Sequence, residues 1–86
     1  MSTSPEPARA LRPDDEIVSA LSHWLAFHLG NAELRARLQA IGTDGLSTDQ
    51  AEAVEELLAE LETAPEGTRG GLEMLVRETL EFVALG

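Results

Sequence analysis

Two histidines and the serines beside them are the residues best suited to metal binding or catalysis. His23 and His28 stand five positions apart, which would place them about 140° apart on one helix. Chelation from a helix uses a spacing of three or four, and no glutamate stands three positions before either histidine. Ser19 and Ser22 precede His23, but nucleophilic catalysis also needs a group that orients the base. The sequence therefore predicts no metal, no cofactor and no enzymatic activity.

Two loops match the patterns of calcium-binding and phosphate-binding loops only in part. A calcium loop beginning at Asp44 would need glycine at its sixth position, where Asp49 stands, and only Glu55 at its final position fits. Gly70 and Gly71 precede a predicted helix, but the lysine and the spacing of a phosphate-binding loop are missing. The calcium loop is excluded, and the two glycines are weak evidence for an anion site at the start of helix 4.

Three residues on the apolar side of the first predicted helix each have more than one interpretation. His28 is expected to be a core histidine hydrogen-bonded to a polar partner, the alternative being a titrating group at an interface. Trp24 and Phe27 are expected in the core, the alternatives being a contact between subunits or the lining of an apolar ligand pocket.

Acidic side chains dominate the third predicted helix. From Leu46 to Glu66 the chain has seven acids and no base, so no salt bridge within this stretch relieves their repulsion. A solvated face is the simplest interpretation, because exposed charges contribute little to stability. The alternative is a recognition surface for a basic partner, for which Glu52, Glu56 and Glu60 are the candidate residues.

Composition excludes several classes of partner. The 86 residues include six arginines, no lysine and sixteen acids, which gives a net charge of −10. Such a charge repels phosphate backbones and anionic membranes, so neither nucleic acid nor membrane is an expected partner. The chain has no cysteine for a disulfide or thiolate site. No apolar run resembles a signal peptide or a membrane span, so we expect a cytoplasmic protein.

The elements that position these residues are predicted to be helices. Residues 1–13 contain three of the four prolines and are expected to form a disordered tail, with a single domain over 14–86. Helix 1 is predicted from Asp14, as its cap, to about Leu29. Asn31 is predicted to cap a short helix 2 that ends before Gly42, the alternative being one kinked helix.

Helices 3 and 4 have clear apolar stripes. Ser47 and Gln50 match a capping box at the start of helix 3, which should end near Thr63. Helix 4 should run from residues 68–71 to the C-terminus, with Phe82 at the edge of its stripe and Met74 at the back. The remaining stripe residues are Val54, Leu57, Leu58 and Leu61 in helix 3 and Leu72, Leu75, Val76, Leu80 and Val83 in helix 4. No strand pattern occurs, which predicts an all-α, small four-helix bundle with helix 1 long and helix 2 short.

The predicted function is protein association. Helix 1 would carry an apolar arc of about 200°, twice the width that one neighbour covers, which predicts a homodimer built on this helix. The candidate apolar contact residues are Trp24, Phe27, His28, Met74 and Phe82. The chain would act as an adaptor or as an accessory or regulatory protein. The alternatives are an acidic, antitoxin-like inhibitor that blocks a basic surface, and a small apolar-ligand-binding bundle or accessory subunit of an enzyme.

Overall fold

A computed structural model describes residues 12–65 and 68–85 as a bundle of four helices. The helices are α1 Pro13–Leu25, α2 Asn31–Ile41, α3 Thr48–Thr63 and α4 Gly70–Leu85. The described ranges contain no β-strand, so the predicted all-α fold is confirmed. The predicted tail lies outside the described residues except for Arg12 and Pro13.

The four helices form a closed ring around one core. Each helix packs against the next in sequence, and α4 returns to pack against α1. Within each helix, core residues recur mostly at intervals of three or four, so they lie on one face. Burial of each large side chain stabilises the fold by about 1.5–3 kcal/mol. The buried apolar residues are Ile17, Ala20, Leu21, Trp24, Leu29, Leu34, Leu38, Val54, Leu57, Leu61, Leu72, Val76 and Val83.

Helix α1 begins at Pro13, one residue before the predicted cap. Arg12 is the N-cap residue, in an extended conformation. Proline suits the first helical position because the N–H group that it lacks would have no partner within the helix. Asp14, Asp15 and Glu16 occupy the first turn, where carboxylates interact favourably with the positive end of the helix dipole.

Helix α1 ends at Leu25, earlier than predicted, in a Schellman motif. The backbone N–H of His28 donates to the carbonyl of His23 at 2.8 Å, and that of Phe27 donates to Trp24 at 3.0 Å. These two bonds satisfy carbonyl groups at the end of the helix. Phe27 occupies the left-handed position of the motif, with φ 67°, where glycine is the usual residue. No sequence signal marks the end of the helix here, because phenylalanine is disfavoured at the left-handed position.

The early end of α1 changes the positions of the residues that follow. Leu29 is buried after the turn, whereas His28 is exposed and Phe27 keeps 72% of its surface exposed. The expectations of a core histidine at position 28 and a core phenylalanine at position 27 are therefore wrong, whereas Trp24 is in the core. Helix α1 is also shorter than its predicted range, with 13 residues against 16 each in α3 and α4. The wide apolar arc that suggested a dimer does not exist on α1.

Helices α1 and α2 are separate, and Asn31 joins them through its side chain instead of capping α2. Gly30 is the N-cap, and its N–H donates to the carboxylate of Glu33 at 3.0 Å. Asn31 is 4% exposed, and its Oδ1 accepts a 2.9 Å hydrogen bond from the indole N–H of Trp24. Its amide nitrogen donates to the carbonyl of Thr68 at 2.9 Å. One side chain thereby supplies an acceptor for the buried indole N–H of Trp24 and a donor for the carbonyl of Thr68.

The predicted capping box of α3 is confirmed. The hydroxyl of Ser47 accepts from the N–H of Gln50 at 3.2 Å, and the N–H of Ser47 donates to Oε1 of Gln50 at 3.0 Å. Gln50 is also buried against α4, where its amide nitrogen donates to the carbonyl of Val83 at 3.0 Å. The start of α3 is thus fixed to the last turns of α4.

Candidate protein-binding groove

An open groove runs along the bundle surface between α3 and α4. On α3, Asp49, Ala53, Glu56 and Glu60 line it. Their spacing of three or four places them in one row along the helix. The three acids are exposed and Ala53 is half-buried, so the row combines a carboxylate rim with a small apolar residue below it.

Helix α4 supplies most of the apolar surface of the groove. Leu75, Thr79 and Phe82 line its first part together with Glu78. Leu75 is half-buried and Phe82 is 47% exposed, so a partner could still cover much of both. The hydroxyl of Thr79 donates to the carbonyl of Leu75 at 2.8 Å, which satisfies this buried polar group within α4.

The groove contains two depressions that follow one another along the helices. The first has a volume of about 210 Å³ and lies between the first half of α3 and the second half of α4. The second has a volume of about 280 Å³ and extends to Ala64, Gly71 and Leu72. Glu56 and Leu75 line both depressions, so the two are consecutive parts of one surface.

The rim of the groove is negatively charged and has no arginine partner. Its carboxylates belong to Asp49, Glu52, Glu56, Glu60 and Glu78. In the described part of the chain, no arginine lies within 4.0 Å of any of these five carboxylates. Unpaired carboxylates of like charge along one row repel each other, and a cationic partner would relieve that repulsion.

Buried amide side chains hold the α3–α4 pair at both ends. At the end near Phe82, Gln50 binds the carbonyl of Val83. At the other end, Asn31 binds the carbonyl of Thr68 in the segment that leads into α4, and its amide nitrogen lies 3.5 Å from the carbonyl of Pro65. The groove is therefore formed before any partner binds, which lowers the entropic cost of binding.

The residues predicted as contacts divide into three groups. Phe82 lines the first depression with Glu52 and Glu56, and Glu60 lines the second. Met74 is 66% exposed on α4 but does not line either depression. The other predicted contacts, Trp24, Phe27 and His28, lie in or after the last turn of α1 and belong to neither depression.

Trp24 and Phe27 enclose an arginine that the sequence interpretation did not single out. The guanidinium carbon of Arg69 lies 3.7 Å from the ring centroid of Trp24 and 4.0 Å from that of Phe27. The guanidinium also donates to the backbone carbonyl of Trp24. Cation–π contacts of this kind hold the residue before α4 against the end of α1. Trp24 is fully buried, so its side chain offers no surface to a second chain.

The two histidines lie closer together than a continuous helix would allow. Their ring centroids are 6.0 Å apart, because the chain turns after Leu25. Within the described ranges, no group of three or more histidine or acidic side chains is arranged to hold a metal ion. None of the helices described combines the length and the apolar character needed to cross a membrane.

Comparison of the chain with protein-family models, with curated proteins and with solved structures finds no match in any of the three.

Proposed function

We propose that this chain is a protein-interaction module that binds a basic, amphipathic segment of another protein in the groove between α3 and α4. One observation carries the proposal: an accessible apolar floor and an unpaired carboxylate rim occur in the same preformed groove. Apolar contacts supply affinity at such interfaces, while complementary charge supplies specificity and a fast association rate. An adaptor, an accessory protein or an inhibitor of a basic surface would all use this groove.

The charge of the groove disfavours a dimer in which the grooves of two copies of the chain pack against each other. The described residues that line the groove include five acids and no arginine. Two such faces in contact would bring like charges together, which costs free energy. A segment rich in arginine or lysine has the opposite charge and can also place apolar side chains on the floor.

The proposal is tested with three fluorescent peptides of equal length: a cationic peptide with leucines, a cationic peptide without leucine, and an acidic peptide with leucines. Fluorescence anisotropy should give a dissociation constant on the order of 10 μM for the first, at least about tenfold tighter than for the others. Added salt should weaken the binding, because the rim charges are exposed.

Two alanines of α3 provide matched variants for this test. Ala53→Gln puts a long side chain on the floor of the groove and should weaken binding of the first peptide by about tenfold or more. Ala59→Gln makes the same change at an exposed position that does not line the groove, and should leave the binding unchanged. Equal effects of the two variants, or equal binding of the acidic peptide, would contradict the proposal.

A second candidate function is self-association centred on Phe27. This residue has the left-handed backbone that favours glycine, yet its side chain is 72% exposed. Left-handed backbone costs about 1–2 kcal/mol for a residue with a side chain. The cation–π contact between Phe27 and the half-buried Arg69 returns about 0.5–2 kcal/mol. A contact with a second chain would explain why an aromatic residue occupies this position.

Light scattering at tens of micromolar tests the self-association. We expect a homodimer that Phe27→Glu converts to a helical monomer and that Glu56→Ala leaves intact. A monomer in the unmodified protein at that concentration would eliminate this candidate without affecting the groove. Catalytic inactivity and cytoplasmic localisation remain predictions, the second of which is checked by cell fractionation.

A further inference from the structure

We propose that the segment bound in the groove is an α-helix of about four turns whose basic residues lie on the flank that faces α3. This inference rests on the proposed function and specifies the conformation and the sequence pattern of the partner. Three features of the groove support it. They are the length of the groove, the distance between its two depressions, and the distribution of charge between its two sides.

The length of the groove matches a short helix. Its lining on α3 extends from Asp49 to Ala64, which corresponds to about 22 Å at 1.5 Å per residue. A partner helix of about 15 residues has the same length. Gly71 and the two alanines of the lining, Ala53 and Ala64, have small side chains, so a third helix can approach α3 and α4 closely.

The two depressions are separated by the distance between residues two turns apart on a helix. Along α3 the first is lined by residues 49–56 and the second by residues 56–64, so their centres lie roughly 10 Å apart. Side chains at positions i and i+7 of a helix are separated by about 10.5 Å along its axis. One apolar side chain at each of these positions would fill both depressions, with a third at i+4 over Leu75.

The charges of the groove differ between its two sides. The rim on α3 carries Asp49, Glu52, Glu56 and Glu60, at intervals of three and four residues, whereas the rim on α4 carries Glu78. A bound helix repeats its own flank residues at the same intervals, so arginines or lysines spaced by three or four can each meet one carboxylate of α3. An extended strand places alternate side chains about 6.6 Å apart along its axis. Its residues therefore cannot face the row of carboxylates on α3 one by one along the whole length of the strand.

Two peptides with the same amino-acid composition but different residue order distinguish a helical partner from an extended one. The helical design has leucines at i, i+4 and i+7 with arginines on one flank, and the extended design has the same residues with leucines at every second position. A third peptide is the helical design with a central proline, which prevents a continuous helix. We expect the helical design to bind at least about tenfold tighter than the other two. Far-ultraviolet circular dichroism should show more helix in its mixture with the protein than in the separate components.

Two pairs of glutamates on α3 test the charge pattern with the net charge held equal. Glu56→Gln/Glu60→Gln removes two carboxylates from the rim and should weaken binding of the helical design by about tenfold. Glu55→Gln/Glu62→Gln removes two exposed carboxylates of the same helix that line neither depression, and should change the affinity by less than about twofold.

The outcomes separate this inference from the proposed function. If the extended design binds as tightly as the helical one, and Ala53→Gln weakens both, the partner is not a helix but the groove is still the binding site. If the two glutamate pairs have equal effects, the assignment of the basic flank to α3 is wrong. If no cationic peptide shows binding that depends on Ala53, the proposed function and this inference both fail.

Discussion

Replacing Asn31 with alanine should destabilise the bundle strongly, although the residue lies in the first turn of α2 and does not cap that helix. The side chain is 4% exposed and binds both the indole N–H of Trp24 and the carbonyl of Thr68. In Asn31→Ala the indole N–H is left buried without an acceptor, which costs about 1–3 kcal/mol, and the bond to Thr68 adds about 1 kcal/mol. The higher helix propensity of alanine offsets about 0.5 kcal/mol.

The net loss of about 1.5–3.5 kcal/mol is a large part of the total stability. At about 0.05–0.15 kcal/mol per residue, a chain of 86 residues has a free energy of unfolding of about 4–13 kcal/mol. Urea unfolding followed by circular dichroism measures the change, and a fall in Tm of more than about 10 °C should accompany it. Gln39→Ala, which removes an exposed amide from the same helix, is the control and should change stability by less than about 0.5 kcal/mol.

A double-mutant cycle tests the reason for this loss. In a Trp24→Phe background the indole N–H is absent, so Asn31→Ala should cost at least about 1 kcal/mol less than in the natural sequence. Two results would refute the reasoning: a loss below about 1 kcal/mol for Asn31→Ala alone, or equal losses in the two backgrounds. Either would mean that the hydrogen bond between α1 and α2 does not stabilise the bundle.

Four further predictions concern charge and backbone conformation. Because the net charge is −10, raising salt from low ionic strength should increase Tm by a few degrees, and a steady fall in Tm would contradict this. Gly42 has φ 78° and ψ 179°, a conformation restricted almost to glycine, so Gly42→Ala should cost about 1–3 kcal/mol in urea unfolding. Gly71→Ala, in the first turn of α4 with open space around it, should be neutral or stabilise by up to about 1 kcal/mol. Phe27→Gly should change stability by less than about 1 kcal/mol, because relief of the left-handed backbone offsets the lost contact with Arg69, and a loss above about 2 kcal/mol would show that Phe27 is there for stability.

Local sequence patterns predicted α3 and α4 well. The capping box at Ser47 and Gln50, and apolar residues at intervals of three and four, each depend on residues that are close in sequence. Such signals need no knowledge of the rest of the fold. The amide of Gln50 also binds the carbonyl of Val83, 33 positions away, and no local pattern reveals a bond of that range.

The end of α1 could not be predicted in the same way, because contacts distant in sequence determine it. Gly30 and Asn31 carry the usual signals for a helix end and a helix start, but the helix had already ended at Leu25. Arg69, 42 residues after Phe27, packs on the ring of that residue. The side chain of Asn31 accepts a hydrogen bond from the buried indole of Trp24 and therefore does not cap α2. Local preference was overridden by tertiary contacts at both positions.

The groove was only partly foreseeable, because the sequence does not show which charged residues lie beside an apolar surface. Glu55 and Glu56 are adjacent on one helix and both are exposed, so composition and periodicity describe them alike. Only Glu56 borders the groove, because a step of one residue turns the helix by about 100° and α4 covers one of the two directions. The sequence identified an acidic helix with two possible roles for its carboxylates. The packing of α3 against α4 places an apolar floor beside Glu52, Glu56 and Glu60, and neither depression reaches Glu55 or Glu62.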